Sequence, residues 1–599
     1  MVSLPDRNWA LICVSMEREL SKDTAEAPAA DNAEAGADPA PRSRPLDDVY
    51  APPRSAGVSE APPSGAAPSV RRAGDSEAPP RVEARRNVAT KALRGLFWVA
   101  STGLGSRIVS LVSTLLLTRY VAPTDYGEVQ NTYVIVWMVD LLTQFGIPPY
   151  IAGRDDLTKK HIAHAIFIFH MLGFVGLALC LVIARPLGPH IGAPSMHLYM
   201  PGFVAATLFQ RLATIPDRLL VRELRFRASS VVRAMGEVVY ALSSLGLAMA
   251  GTRLDFKLGG QAFVFGGGFA IVWGGIARGV FRVAAMATLV RVREWFAWLK
   301  PEKEITRDVA GFGVPITMAV LGGIGSRRWD NLAIGNLYGS ATTGVYNIAY
   351  NLADVPSSVV GEALGDVLAP SFAKTEPRDR PKEVRRWIGF SALLCFPLGV
   401  GLSAVAPSLK WLLGVQYLSA IPMVVLLGSL SLTRPAINTL YAYLQLLGRT
   451  RTMMLLEWQK AIGVVVTIFA AGRLVREASS DFDAQYGAWI ACGMVGLVHA
   501  VNTISYQIAA ARVGQFPVRR IITPMFPPLL ACVPMVAAVL VVRLAIGQVD
   551  TKPMLILRLV LEILAGALIY VGAAWLVARS IVQDFLDLIK TMLKKRSGG

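Results

Sequence analysis

The sequence predicts an all-α polytopic membrane protein of about fourteen transmembrane helices, in two six-helix lobes plus two extra C-terminal helices. Three observations carry this prediction. Hydrophobic residues make up 53% of the 599, and charged residues only 17%, against about 25% in ordinary soluble proteins. From Lys91 onward, apolar runs recur at the length of about 20 residues that a helical span needs. Cations also gather in alternate connections between those runs, as the positive-inside rule requires.

Residues 1–90 hold 12 of the 36 prolines and are rich in alanine, serine and acids, with no hydrophobic period. Such a composition cannot bury enough apolar surface to offset its ordering entropy, so the segment reads as a disordered cytoplasmic tail. The run from Trp9 to Val14 is too brief for a signal peptide. Spans one to six follow at about 93–121, 127–150, 162–184, 197–217, 229–251 and 260–289 and form an N-lobe over 91–300. Spans seven to twelve, at about 309–338, 341–370, 387–409, 418–446, 452–472 and 485–510, form a C-lobe over 301–513. Spans thirteen and fourteen, at 525–547 and 555–578, occupy 514–599 with a basic tail.

The tail to residue 90 has a net charge of −3, and the remainder +21. That balance could point to nucleic acid, but the basic residues fall between apolar spans and read as topology signals. With the N-terminus inside, the inner loops carry 24 Lys/Arg and the outer loops 10. Both termini are therefore expected in the cytoplasm, with Lys590, Lys594, Lys595 and Arg596 against the anionic leaflet. None of the five cysteines has metal-ligand spacing, and the six histidines form no HExxH pattern. No metal or other cofactor is assigned.

The glycines of span six lack the Lys-Ser/Thr of a phosphate loop, so Gly275 and Gly279 read as small-residue packing positions. Arg278 and Arg282 on the same span are expected to snorkel to its inner end. Pro435 predicts a kink in span ten. A short echo links Val121-Ala-Pro-Thr-Asp-Tyr-Gly127, after span one, with Tyr338-Gly-Ser-Ala-Thr-Thr-Gly344, after span seven. Six spans separate the two, so a repeat would be parallel.

Charges inside apolar spans are the main functional signal. Arg327-Arg328-Trp329-Asp330 lies in span seven, where each charge costs about 2.5–3.5 kcal/mol on insertion scales. That cost is borne where a helix faces a protein interior or a watery cavity. Arg327, Asp330 and Asn331 share one helical face, while Arg328 stands about 100° round from Arg327. The two arginines cannot face one cavity equally. Further cations are Arg107 on span one, Arg211 on span four, Arg434 on span ten and Lys460 on span eleven. Acids are Asp140, Asp330, Asp354, Glu362 and Glu457. These serve either as proton or ion carriers for coupled transport, or as counter-ions to the arginines. Arg233, Glu237 and Tyr240 line the inner end of span five.

The stretch Asp330-x-x-x-Ile334-Gly335-x-x-Tyr338-Gly339-x-x-x-x-Gly344-x-Tyr346-x-x-Ala349 resembles the start of the second half of Wzx-type polysaccharide-transporter flippases. These belong to the multidrug/oligosaccharidyl-lipid/polysaccharide exporter superfamily. Gly313-Val314-Pro315, Pro123-x-Asp125-Tyr126-Gly127 and Arg222-Glu223-Leu224-Arg225-Phe226-Arg227 are similar to other parts of the pattern, and together the likeness spans about 91–580. It implies a non-enzymatic flippase of the bacterial inner membrane. Its cargo would be an undecaprenyl-diphosphate-linked oligosaccharide, carried to the outer leaflet by alternating access for export of a surface polysaccharide such as lipopolysaccharide or exopolysaccharide. Implied partners are that lipid-linked glycan, membrane lipids, and a polysaccharide polymerase with its chain-length factor. Guanidinium forks bind phosphate oxygens bidentately, so Arg107, Arg211, Arg327, Arg328, Arg434 and Lys460 are candidates for a cationic substrate cavity. Rival readings are a lipid-linked peptidoglycan-precursor flippase and an ion-coupled drug antiporter. A membrane glycosyltransferase would need a large outer loop with catalytic acids, and the longest outer loop has only about 12 residues.

Overall fold

In the computed structural model, the described residues run from 102 to 597, with breaks at 104, 154–156, 224, 252–255, 259–260, 264, 296–301, 479–483 and 548–550. The tail at 1–90 and the start of span one lie outside them.

Helices occupy the predicted spans in order. They are α1 (Gly105–Leu117), α2 (Pro123–Gln144), α3 (Lys159–Leu187), α4 (Met196–Arg222), α5 (Phe226–Ala250) and α6 (Gly268–Leu289). Then come α7 (Lys303–Lys374), α8 (Arg380–Val405), α9 (Ala420–Leu427), α10 (Arg434–Leu446), α11 (Thr450–Ala478) and α12 (Ala484–Gly514). Last are α13 (Phe526–Ile546), α14 (Lys552–Val577) and α15 (Arg579–Ser597). Among the described residues, nine helical stretches are long and apolar enough to cross a membrane by length and composition. α2, α4 and α7 are not among them, and these three carry Asp140, Arg211 and the Arg328–Asp330 run.

Three boundaries differ from expectation for local reasons. Spans seven and eight form one unbroken stretch of helix whose only non-helical residue is Gly339, at φ 84° and ψ 173°. A side chain is strongly disfavoured at that φ, so glycine sets the corner between the two spans. Span ten breaks before Pro435 rather than bending at it. A 3-10 turn over Gly428–Leu432 precedes α10, and the proline sits in the first turn of α10, where its missing N–H costs nothing. Span six begins later than predicted: Phe256–Leu258 and Gln261–Phe263 pair as an antiparallel hairpin, and α6 starts only at Gly268.

The glycines of α6 allow it to lie close on α4 and α5. A Cβ at Gly279 would stand 2.7 Å from Phe209 Cβ, and one at Gly274 would stand 2.8 Å from Ser244 Cβ. This is small-residue packing of the kind that brings membrane helices together.

The two echo segments pack on each other with matched geometry. A Cβ at Gly127 would overlap the Ser340 carbonyl oxygen, and a Cβ at Gly344 would overlap the Pro123 carbonyl oxygen. In the echo, Pro123 aligns with Ser340 and Gly127 with Gly344, so the contact is reciprocal. A second matched pair flanks it. The loop after α3 meets α7 where Asn336 Nδ2 donates to His190 O at 2.6 Å. The loop after α8 meets the α1–α2 turn, where Gly414 N donates to Thr118 Oγ1 at 3.0 Å and Tyr417 Oη to Val121 O at 3.1 Å. Val121, Tyr126, Ile334, Tyr346 and Tyr417 join one buried core around this point. This end of the bundle, the turn end, is closed by contacts from both halves of the chain.

At the opposite end, Tyr150 Oη donates to Asp308 Oδ2 at 2.7 Å and Lys160 pairs with Glu302 at 2.6 Å, tying the start of α7 to the first half. α13 and α14 are anchored by buried Glu562. It accepts from Ser408 Oγ at 2.8 Å and from Arg543 Nε at 3.1 Å, with Arg558 Nε 3.7 Å away. Their outer faces stay apolar and exposed, as at Leu544, Leu568 and Leu576, which suits contact with lipid.

Candidate functional site: a cationic cavity between α1, α5 and α6

Between α1, α2, α4, α5, α6 and α7 lies a cavity of about 240 Å³. Its charged lining is Arg107, Arg278, Arg328 and Glu237. Its aromatic lining is Tyr126, Tyr133, Phe203 and Tyr240, and Gln130, Gln210 and Asn351 supply amides. A second chamber of about 370 Å³ adjoins it and shares Arg107, Ser110 and Glu237. This chamber adds Arg233 and Arg282, together with the hydroxyls of Thr102, Ser106 and Ser230.

The two chambers stack along the bundle axis, because each lining stripe follows the helical period. On α1 the stripe is Arg107, Ser110 and Thr114; on α6 it is Ile271, Gly275, Arg278 and Arg282. The upper chamber reaches toward the closed turn end, and the lower one lies at the start of α1 and α5.

Five arginines face one glutamate across the two chambers. Glu237 accepts from Arg278 Nη1 at 3.1 Å and 3.2 Å, and the Arg278 guanidinium lies 5.0 Å from the centre of the Tyr240 ring. Arg233 Nη2 donates to Ser229 Oγ at 2.7 Å and stands 3.6 Å from Asp217. Among the described residues, Arg282 and Arg328 have no carboxylate within ion-pairing distance, and Arg282 Nε is buried with no hydrogen-bond acceptor. The site is therefore a net-positive, partly desolvated space lined by fork donors. An anion with several oxygens is the natural occupant.

The sequence-predicted cations divide. Arg107 and Arg328 line the cavity. Arg211, Arg434 and Lys460 stand outside it, each held by a carboxylate. Arg211 Nη1 lies 2.6 Å from Asp140 Oδ1 with both side chains buried, and Arg211 Nη2 donates to the carbonyls of Thr143 at 2.8 Å and Phe169 at 2.5 Å. Arg434 pairs with Asp354. Lys460 lies 2.8 Å from Glu457, which also accepts from Tyr506 Oη at 2.9 Å. These three therefore do not line the two chambers, and each has a carboxylate partner of its own. Asp330 is likewise occupied, accepting from Tyr346 Oη at 2.6 Å and from Asn331 N at 2.8 Å. The side chains of Arg327 and Glu362 lie outside the described residues.

Arg278 and Arg282 correct the snorkelling expectation, since both turn inward. Their signal was present in the sequence: they continue, at helical spacing, the stripe begun by Ile271 and Gly275. Gln130, Tyr133, Gln210 and Asn351 carry no such signal, because neutral polar and aromatic residues are common on packed membrane helices.

A multi-pass helical bundle with a charged internal cavity defines a membrane transporter. The chain belongs to the polysaccharide biosynthesis protein family, whose model matches residues 116–422. It is similar to the succinoglycan biosynthesis transport protein ExoT of Rhizobium meliloti (strain 1021), at 23% identity over 511 residues, 84% of this chain and 96% of that protein. The lipopolysaccharide biosynthesis protein WzxC of Escherichia coli (strain K12) is 23% identical over 475 residues, 77% of this chain and 88% of that protein. Among solved structures, the lipid II flippase MurJ in an inward closed conformation superposes with a TM-score of 0.61 at 11% identity, covering 81% of this chain and 99% of that one. An inward-facing multidrug resistance MATE transporter superposes at 0.52 with 13% identity, covering 68% and 96%. These two show the shared fold.

Proposed function

We propose that the chain flips a glycan linked to undecaprenyl diphosphate from the cytoplasmic to the outer leaflet of the bacterial inner membrane, feeding export of a surface polysaccharide. One observation carries this reading: the cavity sets five arginines against one glutamate inside a membrane bundle. The names of ExoT and WzxC support a polysaccharide cargo. The head group and glycan cross in the cavity while the polyprenyl tail stays in lipid. The halves at 91–300 and 301–513 rock about the cavity, and the turn end opens as the opposite end closes. The reciprocal contacts of Gly127 and Gly344 support a pseudo-symmetric gate at the turn end. Both termini lie in the cytoplasm, and a polymerase and chain-length factor act downstream on the product. The buried pairs Arg434–Asp354 and Lys460–Glu457, with Asp140, Asp330 and Glu362, remain the place for ion coupling if transport is coupled.

Arg328→Ala is expected to cut polysaccharide export about 10–100-fold, the value of a charge-assisted hydrogen bond of about 1.5–3 kcal/mol, with membrane insertion intact. Export at the parental level would remove Arg328 from the site. A reporter fused after Arg253 is expected to read as outside, and a cytoplasmic signal would reverse the orientation. A lipid II flippase is the second reading, because MurJ shares the fold. The lipid-linked intermediate accumulated by a deletion strain separates the two.

A further inference from the structure

We propose that the cavity holds its cargo in two ordered subsites: the lower chamber takes the diphosphate, and the upper chamber takes the first sugar rings. This division rests on the flippase reading above. The arginines alone do not divide the chambers, since Arg278 and Arg328 belong to the upper and Arg233 and Arg282 to the lower. The remaining lining does. Every aromatic residue and every amide of the cavity lies in the upper chamber, whereas the lower chamber has only hydroxyls and small residues beside its arginines and Glu237, the carboxylate both chambers share.

Guanidinium and hydroxyl donors suit phosphate oxygens, which accept but cannot donate. Sugar rings are amphipathic. Their C–H faces lie against rings such as Tyr133 and Tyr240, and their hydroxyls need partners that both donate and accept, as Gln130 and Gln210 do.

Connectivity gives the same order independently. The cargo is linear: tail, diphosphate, glycan. The lower chamber lies at the start of α1 and α5, and the upper one extends toward the closed turn end. A tail held in the leaflet beside the lower chamber places the diphosphate at Arg233 and Arg282 and sends the glycan inward. Arg328 then acts on the glycan.

The test uses the full chain in lipid nanodiscs, with farnesyl diphosphate as a sugar-free probe and farnesol as the control. The parent is expected to bind the diphosphate and not the alcohol. Arg282→Gln is expected to weaken that binding by about tenfold or more. Tyr133→Leu, Gln210→Leu and Arg328→Gln are expected to leave probe binding within about twofold while lowering export in cells, at an unchanged melting temperature. If the parent does not prefer the diphosphate over farnesol, the flippase reading itself falls. If the parent binds but Arg328→Gln or Tyr133→Leu weakens the probe as much as Arg282→Gln does, the division into subsites falls alone.

Discussion

Replacing Arg211 with alanine is expected to destabilise the protein by about 3–5 kcal/mol, the usual effect of removing one partner of a buried ion pair. Asp140 would be left in the interior with Gln144 Nε2, at 2.7 Å, as its remaining side-chain partner. The carbonyls of Thr143 and Phe169 would lose the donor that bridges them. The guanidinium also lies 4.0 Å from the centre of the Phe169 ring and against Gly173, so its loss opens space among α2, α3 and α4. The purified variant should melt far below the parent, and any export defect should follow the loss of folded protein. Arg211→Met combined with Asp140→Leu should recover most of the stability, because the uncompensated charge is then gone. A melting temperature unchanged in Arg211→Ala would overturn the structural role. Arg328→Ala gives the contrast, since there export falls while stability holds.

Gly344→Ala carries the second large effect. The added Cβ meets backbone on both sides: it overlaps the Pro123 carbonyl oxygen and stands 3.1 Å from Gly127 N. No flexible side chain is available to move aside. Overpacking of this kind costs about 1–3 kcal/mol. The strain falls on the contact that closes the turn end, so the closed state is disfavoured relative to an open one. The expected result is a lower melting temperature, together with labelling of Ser110→Cys by a membrane-impermeant maleimide added from outside. The parent carrying Ser110→Cys should stay protected. Cys180, Cys395, Cys492 and Cys532 are all buried and add little background. An unchanged melting temperature with no new labelling would show that the Gly127–Gly344 contact does not hold the turn end shut.

The fold class was legible because apolar runs of spanning length survive every detail of packing. Gly339 fell at the expected gap between spans seven and eight, where its left-handed φ makes the corner. The start of span six was not legible, because Gln261–Phe263 continues the apolar run that reads as helix yet pairs with Phe256–Leu258 as a strand. Within the site, the cluster around Arg328 announced itself by the cost of charge in hydrocarbon. Arg211 and Arg434 gave the same signal for another reason. Their partners Asp140 and Asp354 lie 71 and 80 positions away, so spacing along one helix cannot reveal the pairing.

The sequence by itself determined that this chain spans a membrane many times and that several of its charges sit inside. Hydropathy and charge are properties of residues, and they act whatever the neighbours are. The tertiary structure decided which charges meet a carboxylate on another helix, and that Arg328 lines the cavity. It also turned the echo of Val121–Gly127 and Tyr338–Gly344 into a contact. Each of those outcomes depends on which helices meet face to face, a matter of packing across the chain.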